Sequence, residues 1–248
     1  FNMTTRRTFV INGYQQVRLP EGTDVEEALE LYLEDPDVEH AEPNYIVSAD
    51  MTPPDDTYFN RLWGLHNTGQ NVNGTNGTND ADIDALAAWD VTTGSADVLV
   101  AVIDTGVDVN HPDLQANIWI NTGEIPDNGL DDDRNGYADD VTGWDFLRSD
   151  NDPRDANGHG THVAGTIAAV GDNNAGVTGV SWSTQIMALR FLDAWGLGST
   201  SNAIAAIEYA NNMGADIINS SWGGSGYVQA LKDAIDASDA LVVCAAGN

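Results

Sequence analysis

Residues 98–106 read VLVAVIDTG, and this stretch decides the fold. Six consecutive apolar residues, 98–103, precede an acid and a glycine turn. A strand buried on both faces of a parallel sheet has this pattern. Apolar runs recur at 186–189, 217–218 and 240–243, and helical patterns lie at 160–170, 199–213 and 227–237. The alternation predicts an α/β domain whose parallel sheet carries helices on both faces.

Residues 1–50 lack the long apolar runs of the rest of the chain, and their pattern predicts a small α+β module. Strands are expected at 8–11 and 16–19, joined by a turn at 12–13, with a second strand pair at 38–40 and 45–47. A helix over 24–34 is expected to begin after Thr23, because Glu26 stands at the capping-box spacing. The Pro-containing stretch 49–56 is typical of a linker. We therefore divide the chain into residues 1–50 and 51–248.

Charge restricts the classes of partner. The 248 residues hold 9 basic and 39 acidic side chains, a formal net charge of −30. This charge disfavours nucleic acid and anionic membrane, because phosphate groups would repel it. Carboxylate oxygens are ligands that calcium prefers. The single cysteine, Cys244, excludes an internal disulfide framework, so packing or bound ions must supply the stability.

Two segments carry the candidate chemistry. Asp104 ends the apolar run, at the strand terminus where α/β proteins collect functional groups, although an acid there is also an ordinary helix cap. Residues 157–166, NGHGTHVAGT, surround His159 and His162 with small residues and run into a helix. The histidine spacing resembles a metal site only in part, since the glutamate of H-E-x-x-H is missing.

These motifs resemble those of the subtilisin-like serine proteases. Asp104-Thr-Gly resembles the catalytic-aspartate motif of that family, and the segment from His159 to Thr166 resembles its catalytic-histidine motif. Ser221-Trp222-Gly223-Gly224 looks like the wall of the primary specificity pocket, and residues 245–248 look like the oxyanion-hole segment. The four motifs stand in the family's order. Residues 1–50 resemble the end of the family's inhibitory propeptide.

The resemblance implies a role for each matching residue. His159 would be the general base, Asp104 would orient it, and Asn248 would donate a hydrogen bond to the oxyanion. The extended segment Gly196-Leu197-Gly198 resembles an edge strand that pairs with the substrate backbone, and Ser221, Trp222 and Gly223 would form the opposite wall.

The nucleophilic serine of the family is not expected in this chain. Its Gly-Thr-Ser motif lies downstream of the oxyanion asparagine, and the sequence given ends at Asn248. We therefore expect a fragment that is inactive alone: the end of a propeptide followed by an incomplete catalytic domain.

Calcium is the cofactor that we expect. Residues 131–140, DDDRNGYADD, open like a calcium-binding loop. Oxygens of Asp131, Asp133, Asn135 and the Tyr137 carbonyl are the candidate ligands, and either Asp139 or Asp140 would complete the shell. The twelfth position of that loop is Thr142 rather than the bidentate glutamate, so the match is incomplete. The family resemblance implies a second site, formed by Asp56, Asp113 and Asn173.

The expected function is a secreted, calcium-stabilised serine endopeptidase that acts on peptides or proteins and is inhibited by its own propeptide. No signal peptide is expected in this chain, because Phe1-Asn2-Met3 begins no basic segment followed by an apolar run. One alternative is a catalytically inactive, calcium-binding domain that binds peptides. A metal hydrolase that uses His159 and His162 is a second alternative, disfavoured by the motif.

Overall fold

The computed structural model describes residues 4–8, 13–44, 52–224 and 226–247. It divides the chain into two compact units, Phe1–Asp50 and Met51–Asn248. Among the described residues, no helix has the length and apolar character needed to cross a membrane.

The first unit contains an antiparallel strand pair and one helix. Strands β1 (Thr4–Thr8) and β2 (Gln15–Arg18) pair with one irregularity in register, and helix α1 covers Val25–Leu33. The predicted N-cap at Thr23 is wrong. Asp24 caps α1, because its carboxylate accepts hydrogen bonds from the amides of Glu26 (2.9 Å) and Glu27 (3.2 Å). Residues 38–40 form no strand, and residues 9–12 and 45–47 lie outside the described residues.

The second unit begins with small elements and continues into the sheet. A hairpin of β3 (Asn71–Val72) and β4 (Thr75–Asn76) precedes helix α2 (Ala85–Trp89). The sheet contains five parallel strands in the order β6-β7-β5-β8-β9. In chain order its strands are β5 (Leu99–Asp104), β6 (Gly143–Asp145), β7 (Gln185–Arg190), β8 (Ile217–Ser220) and β9 (Leu241–Cys244).

Three helices connect the strands and cover both faces of the sheet. They are α3 (His159–Ala168), α4 (Thr200–Asn212) and α5 (Gln229–Asp236). Val100 and Val102 of β5 pack in one apolar cluster with Ala164 and Ala168 of α3. Alternate residues of β5, such as Ile103, belong to a second cluster with α4. Strand β5 is buried on both faces along its whole length, as its apolar run predicts, and the α/β architecture is confirmed.

Candidate active site

Asp104 and His159 form a hydrogen-bonded pair at the carboxyl end of the central strand. Asp104 is the last residue of β5, and its side chain is fully buried. His159 is the first residue of α3, and 49% of its side chain is exposed. The Nδ1 atom of His159 lies 2.7 Å from Oδ1 of Asp104, which leaves Nε2 as the ring nitrogen not bound to this carboxylate. The buried Asp104 carboxylate therefore orients the imidazole of His159, a side chain that is half-exposed.

Gly160 lets the helix approach the strand end this closely. A Cβ atom at Gly160 would overlap the carbonyl oxygen of Gly106 and would crowd the Asp104 side chain. Gly106 has φ +107°, and a Cβ there would overlap the carbonyl oxygen of Pro153. The short distance between helix and strand therefore requires glycine at 160, and the turn after the strand requires glycine at 106.

Ser221, Trp222 and Gly223 follow directly after β8. The Oγ atom of Ser221 accepts a hydrogen bond from Nδ2 of Asn219 (2.9 Å). The Trp222 indole donates to the carbonyl oxygen of Ile103 (2.9 Å) and packs edge-on against Phe191 with ring centroids 4.8 Å apart. These contacts bring Trp222 beside the strand that ends in Asp104.

Gly196, Leu197 and Gly198 are not assigned to a strand of the chain's own sheet. Residues 194–195 form a turn, and no regular structure is assigned to 197–199. Asp193 fixes this turn, because its Oδ1 accepts hydrogen bonds from the amides of Trp195 (2.8 Å) and Leu197 (2.9 Å). The expected partner of the segment is a substrate backbone, so its role as an edge strand stays a prediction. Leu197 is 67% exposed, so its side chain is open to solvent.

Asn248, the predicted oxyanion donor, lies outside the described residues. The preceding segment leaves strand β9, whose last residue Cys244 pairs with Ser220 of β8. The assignment of Asn248 as the oxyanion donor stays a prediction.

Asp113 and Asn173 are hydrogen-bonded to each other, and Asp56 binds the backbone of Asp172, the residue before Asn173. Nδ2 of Asn173 donates to Oδ1 of Asp113 (2.9 Å), and Oδ2 of Asp113 accepts from the amide of Val177 (2.8 Å). Oδ2 of Asp56 accepts from the amide of Asp172 (2.8 Å), whereas its buried Oδ1 has no partner. A buried, unpartnered carboxylate oxygen fits a cation ligand, because such an atom is costly without a partner.

The carboxylates of the acidic loop at 131–140 bind the backbone of the loop. The Asp131 carboxylate accepts hydrogen bonds from the amides of Asn135 (3.0 Å) and Gly136 (2.9 Å). The amide of Asn135 also donates to Oδ1 of Asp133 (3.0 Å), so Asp131 and Asp133 share one donor. The Asp139 carboxylate accepts from the amides of Asn128 and Gly129.

Asp133 also belongs to a trio with Glu124 and Asp140, in which one carboxylate oxygen of each residue lies within 4.8 Å of the others. Asp140 is fully buried and accepts hydrogen bonds from Tyr209 (2.5 Å), Asn121 (2.8 Å) and Asn135 (2.8 Å). Burial raises the pKa of the Asp140 carboxyl, although these hydrogen bonds oppose the rise. Sequence reasoning named Asp140 as one of two residues that could complete the site, but it missed Glu124 and Tyr209, because only the folded loop brings them to Asp133 and Asp140.

Among the residues that the structure describes, this trio is the only group of three or more acidic, histidine or cysteine side chains close enough together to hold a metal ion. His159 and His162 are not part of it. A cleft of about 970 Å³ runs beside helix α3 and is lined by His162, Trp63 and Asp155, but not by His159 or Asp104. Gly158 also lines it, so the cleft adjoins the start of α3 without including the two side chains of the histidine–aspartate pair.

Comparison with known proteins gives consistent matches. The profile described as the subtilase family matches residues 95–248, and the profile of the fervidolysin N-terminal prodomain matches residues 1–44. A thermophilic serine proteinase from a Bacillus species is 37% identical over 228 residues, which cover 91% of this chain and 48% of the relative. Thermitase from Thermoactinomyces vulgaris is 37% identical over 169 residues, which cover 67% of this chain and 52% of thermitase.

A solved structure points to the same fold. A protease from Pseudoalteromonas arctica superposes with a TM-score of 0.58 at 30% sequence identity, covering 79% of this chain and 60% of the other. The chain spans about half the length of the two curated relatives described above. The motifs, the five-stranded parallel sheet and these matches agree, and the chain belongs to the subtilase family of serine proteases, with a prodomain-like region at residues 1–44.

Proposed function

We propose that this chain is part of a calcium-stabilised serine endopeptidase in which Asp104 and His159 are two members of a catalytic triad. The observation that carries the proposal is the 2.7 Å hydrogen bond between His159 Nδ1 and the buried Asp104 carboxylate. The third member would be a serine outside residues 1–248, so these residues alone would not hydrolyse peptides.

The proposed mechanism assigns one task to each residue. His159 Nε2 takes the proton of the serine hydroxyl as the oxygen attacks the scissile carbonyl carbon. Asp104 holds the tautomer with the proton on Nδ1 and stabilises the imidazolium. The imidazolium then returns the proton to the leaving amine as the peptide C–N bond breaks. Asn248 donates to the tetrahedral oxyanion, an interaction worth about 3–4 kcal/mol.

The substrate would be an extended peptide or protein segment. The exposed turn at Gly196, Leu197 and Gly198 and the segment Ser221 to Gly223 are the proposed walls of its groove. Trp222 supports this assignment, because its indole donates to Ile103, the residue before Asp104. Residues 1–50 are the proposed inhibitory propeptide, which the match of residues 1–44 to a prodomain supports. Secretion remains a prediction.

Calcium is the proposed cofactor, and its role is to stabilise the fold by cross-linking loops. The unpartnered Oδ1 of buried Asp56 supports a site with Asp113 and Asn173. The trio of Glu124, Asp133 and Asp140 supports a site in the acidic loop. Asp131, Asn135 and Asp139 then act by shaping that loop, and their ligand role stays a prediction.

Peptide hydrolysis by the full-length protein tests the triad. We expect His159→Ala to abolish turnover and Asp104→Asn to lower kcat about 10⁴-fold. His162→Gln is the matched control, because it changes the other histidine of the same helix and should retain activity. A sulfonyl fluoride, which reacts with an activated serine, should inactivate the protein.

The outcomes separate the candidates. Full activity in His159→Ala would reject the triad. Equal loss of activity in both histidine variants, together with resistance to the sulfonyl fluoride, would favour the metal hydrolase. A wild-type protein that binds peptides without cleaving them would favour the inactive binding domain.

A further inference from the structure

Helix α3 begins without a side-chain cap of its own. Its N-cap is Gly158, which has φ +104° and no side chain to accept a hydrogen bond. The first amides of a helix have no partner inside the helix and need acceptors from elsewhere. Helix α3 begins at His159, so the groups that accept hydrogen bonds from its first amides also fix the backbone that carries the histidine.

Asp155 supplies these acceptors from outside the helix. Its Oδ1 accepts hydrogen bonds from the amides of Asn157 (2.8 Å) and Gly158 (2.9 Å). Its Oδ2 accepts from the amide of Thr161 (2.9 Å), in the first turn of α3. One carboxylate therefore fixes the backbone on both sides of His159.

The same carboxylate also reaches the strand that carries Asp104. The hydroxyl of Thr105, the residue after Asp104, donates to Oδ1 of Asp155 (2.9 Å). Oγ1 of Thr105 in turn accepts from the amide of Gly160 (3.0 Å), the residue after His159. Thr105 is 1% exposed, so this link runs through the interior.

Thr161 closes the network on the other side. Its hydroxyl donates to Oδ2 of Asp155 (2.7 Å), and its Oγ1 accepts from the amide of Asp108 (2.9 Å). In total, five donors from the helix start and the strand end converge on one carboxylate.

The geometry points to Asp155 as a positioning residue that sets the distance between His159 and Asp104. Asp155 is hydrogen-bonded to neither of the two side chains; it acts through the backbones on which they stand. The inference rests on the proposed protease function and adds a residue that controls the geometry of its site.

The charge of Asp155 is part of this role. Burial raises the pKa of its carboxyl, but the hydrogen bonds from Gly158, Asn157 and Thr161 outweigh burial, and the pKa lies below the usual aspartate value. Asp155 is thus ionised at neutral pH, and both of its oxygens are acceptors. An asparagine has one acceptor oxygen, and its amide would face donors where Oδ1 or Oδ2 now accepts.

The test compares Asp155→Asn with Asp216→Asn in the full-length protein. Asp216 is a matched control, because its carboxylate accepts from the amide of Leu99 (2.8 Å) at the opposite end of the same strand, β5. We expect Asp155→Asn to lower kcat about 10- to 100-fold, since small misplacements of catalytic groups have effects of this size. KM should change less than about threefold, because no substrate contact is removed. Asp216→Asn should lower stability only.

The hydrogen bond between His159 and Asp104, followed by NMR, supplies a readout that does not need turnover. A longer bond deshields the Nδ1 proton of His159 less, so its resonance should move upfield in Asp155→Asn and stay unchanged in Asp216→Asn. Thr105→Val, which removes the buried hydroxyl, should move this resonance upfield as well, and Thr105→Ser should restore it.

Two results would overturn the inference: an unchanged resonance of the His159 Nδ1 proton in folded Asp155→Asn, or a kcat loss of the same size in Asp216→Asn. If the wild-type protein hydrolyses no peptide, the proposed function fails, but the NMR measurement still decides the role of Asp155. If Asp155→Asn does not fold, the Thr105 pair decides it in the same way.

Discussion

At the scale of single residues, the buried carboxylate of Asp140 shows why the acidic loop could be predicted only in outline. The density of Asp and Asn predicts a cation site in this segment. The trio of Glu124, Asp133 and Asp140 is a cluster of the kind that could hold a cation, although its members are not the set expected from the sequence. Which carboxylates converge is decided by Tyr209 from helix α4 and by the upstream Asn121, which bind Asp140. Each Asp in such a loop can also cap a nearby amide, so local sequence does not choose between the two roles.

Replacing Tyr209 by Phe should destabilise the protein. The variant keeps the ring packing against Tyr137 and Phe146 but removes the 2.5 Å hydrogen bond to fully buried Asp140. We expect the free energy of unfolding in urea to fall by about 1–3 kcal/mol in calcium-free buffer. Tyr137→Phe is the control, because no hydrogen bond of its hydroxyl is formed among the described residues, and its effect should stay below about 0.5 kcal/mol. Equal effects of the two variants would contradict the assigned role of the Tyr209 hydroxyl.

At the scale of elements, long and strongly patterned segments were predicted and short or partner-dependent ones were not. The apolar run at 98–103 predicted strand β5, and the small residues of 157–166 predicted a helix that approaches a surface closely. Strand β6 was missed, since its three residues lie in an acidic segment and depend on pairing with β7. The edge strand at 196–198 stays a prediction, because its expected partner is a substrate; the turn that Asp193 holds before it could not be predicted from the local pattern.

The contact between helix α3 and strand β5 can be tested with Gly160→Ala. The new Cβ would overlap the Gly106 carbonyl oxygen, so the start of the helix must move away from Asp104. Overpacking of this kind costs about 1–3 kcal/mol of unfolding free energy. Proteolytic activity of the full-length protein should fall together with the stability, because the hydrogen bond between His159 and Asp104 lengthens.

Thr161→Ser is the control for this helix start, since serine keeps the hydroxyl that bonds to Asp155 and Asp108. It should stay within about 0.5 kcal/mol of the wild type. A crystal structure of Gly160→Ala with an unchanged distance between His159 and Asp104 would refute the packing argument.

At the scale of the whole molecule, stability has to be explained without disulfides and with strong self-repulsion. The chain has one cysteine and a formal net charge of −30. Like charges at this density destabilise a compact state. A cation that binds only the folded chain offsets the repulsion and adds stability in proportion to the logarithm of its concentration. The general preference for cations followed from composition, whereas the unpartnered oxygen of Asp56 became evident only in the structure.

Calcium removal should therefore lower the melting temperature, and Asp56 should account for part of the change. At a free calcium concentration 100 times Kd, binding to one site adds about 2.7 kcal/mol, which chelation would remove. Sodium chloride at matched ionic strength should not replace calcium, because charge screening supplies no ligand to the unpartnered Oδ1 atom of Asp56.

Asp56→Asn should reduce the calcium-dependent shift in melting temperature. Asp55→Asn is the matched control, because Asp55 accepts hydrogen bonds from Asn174, and its loss should lower the melting temperature equally with and without calcium. A calcium-dependent shift that is the same in wild type and Asp56→Asn would remove Asp56 from the site, and a melting curve unaffected by chelation would remove calcium from the account of stability.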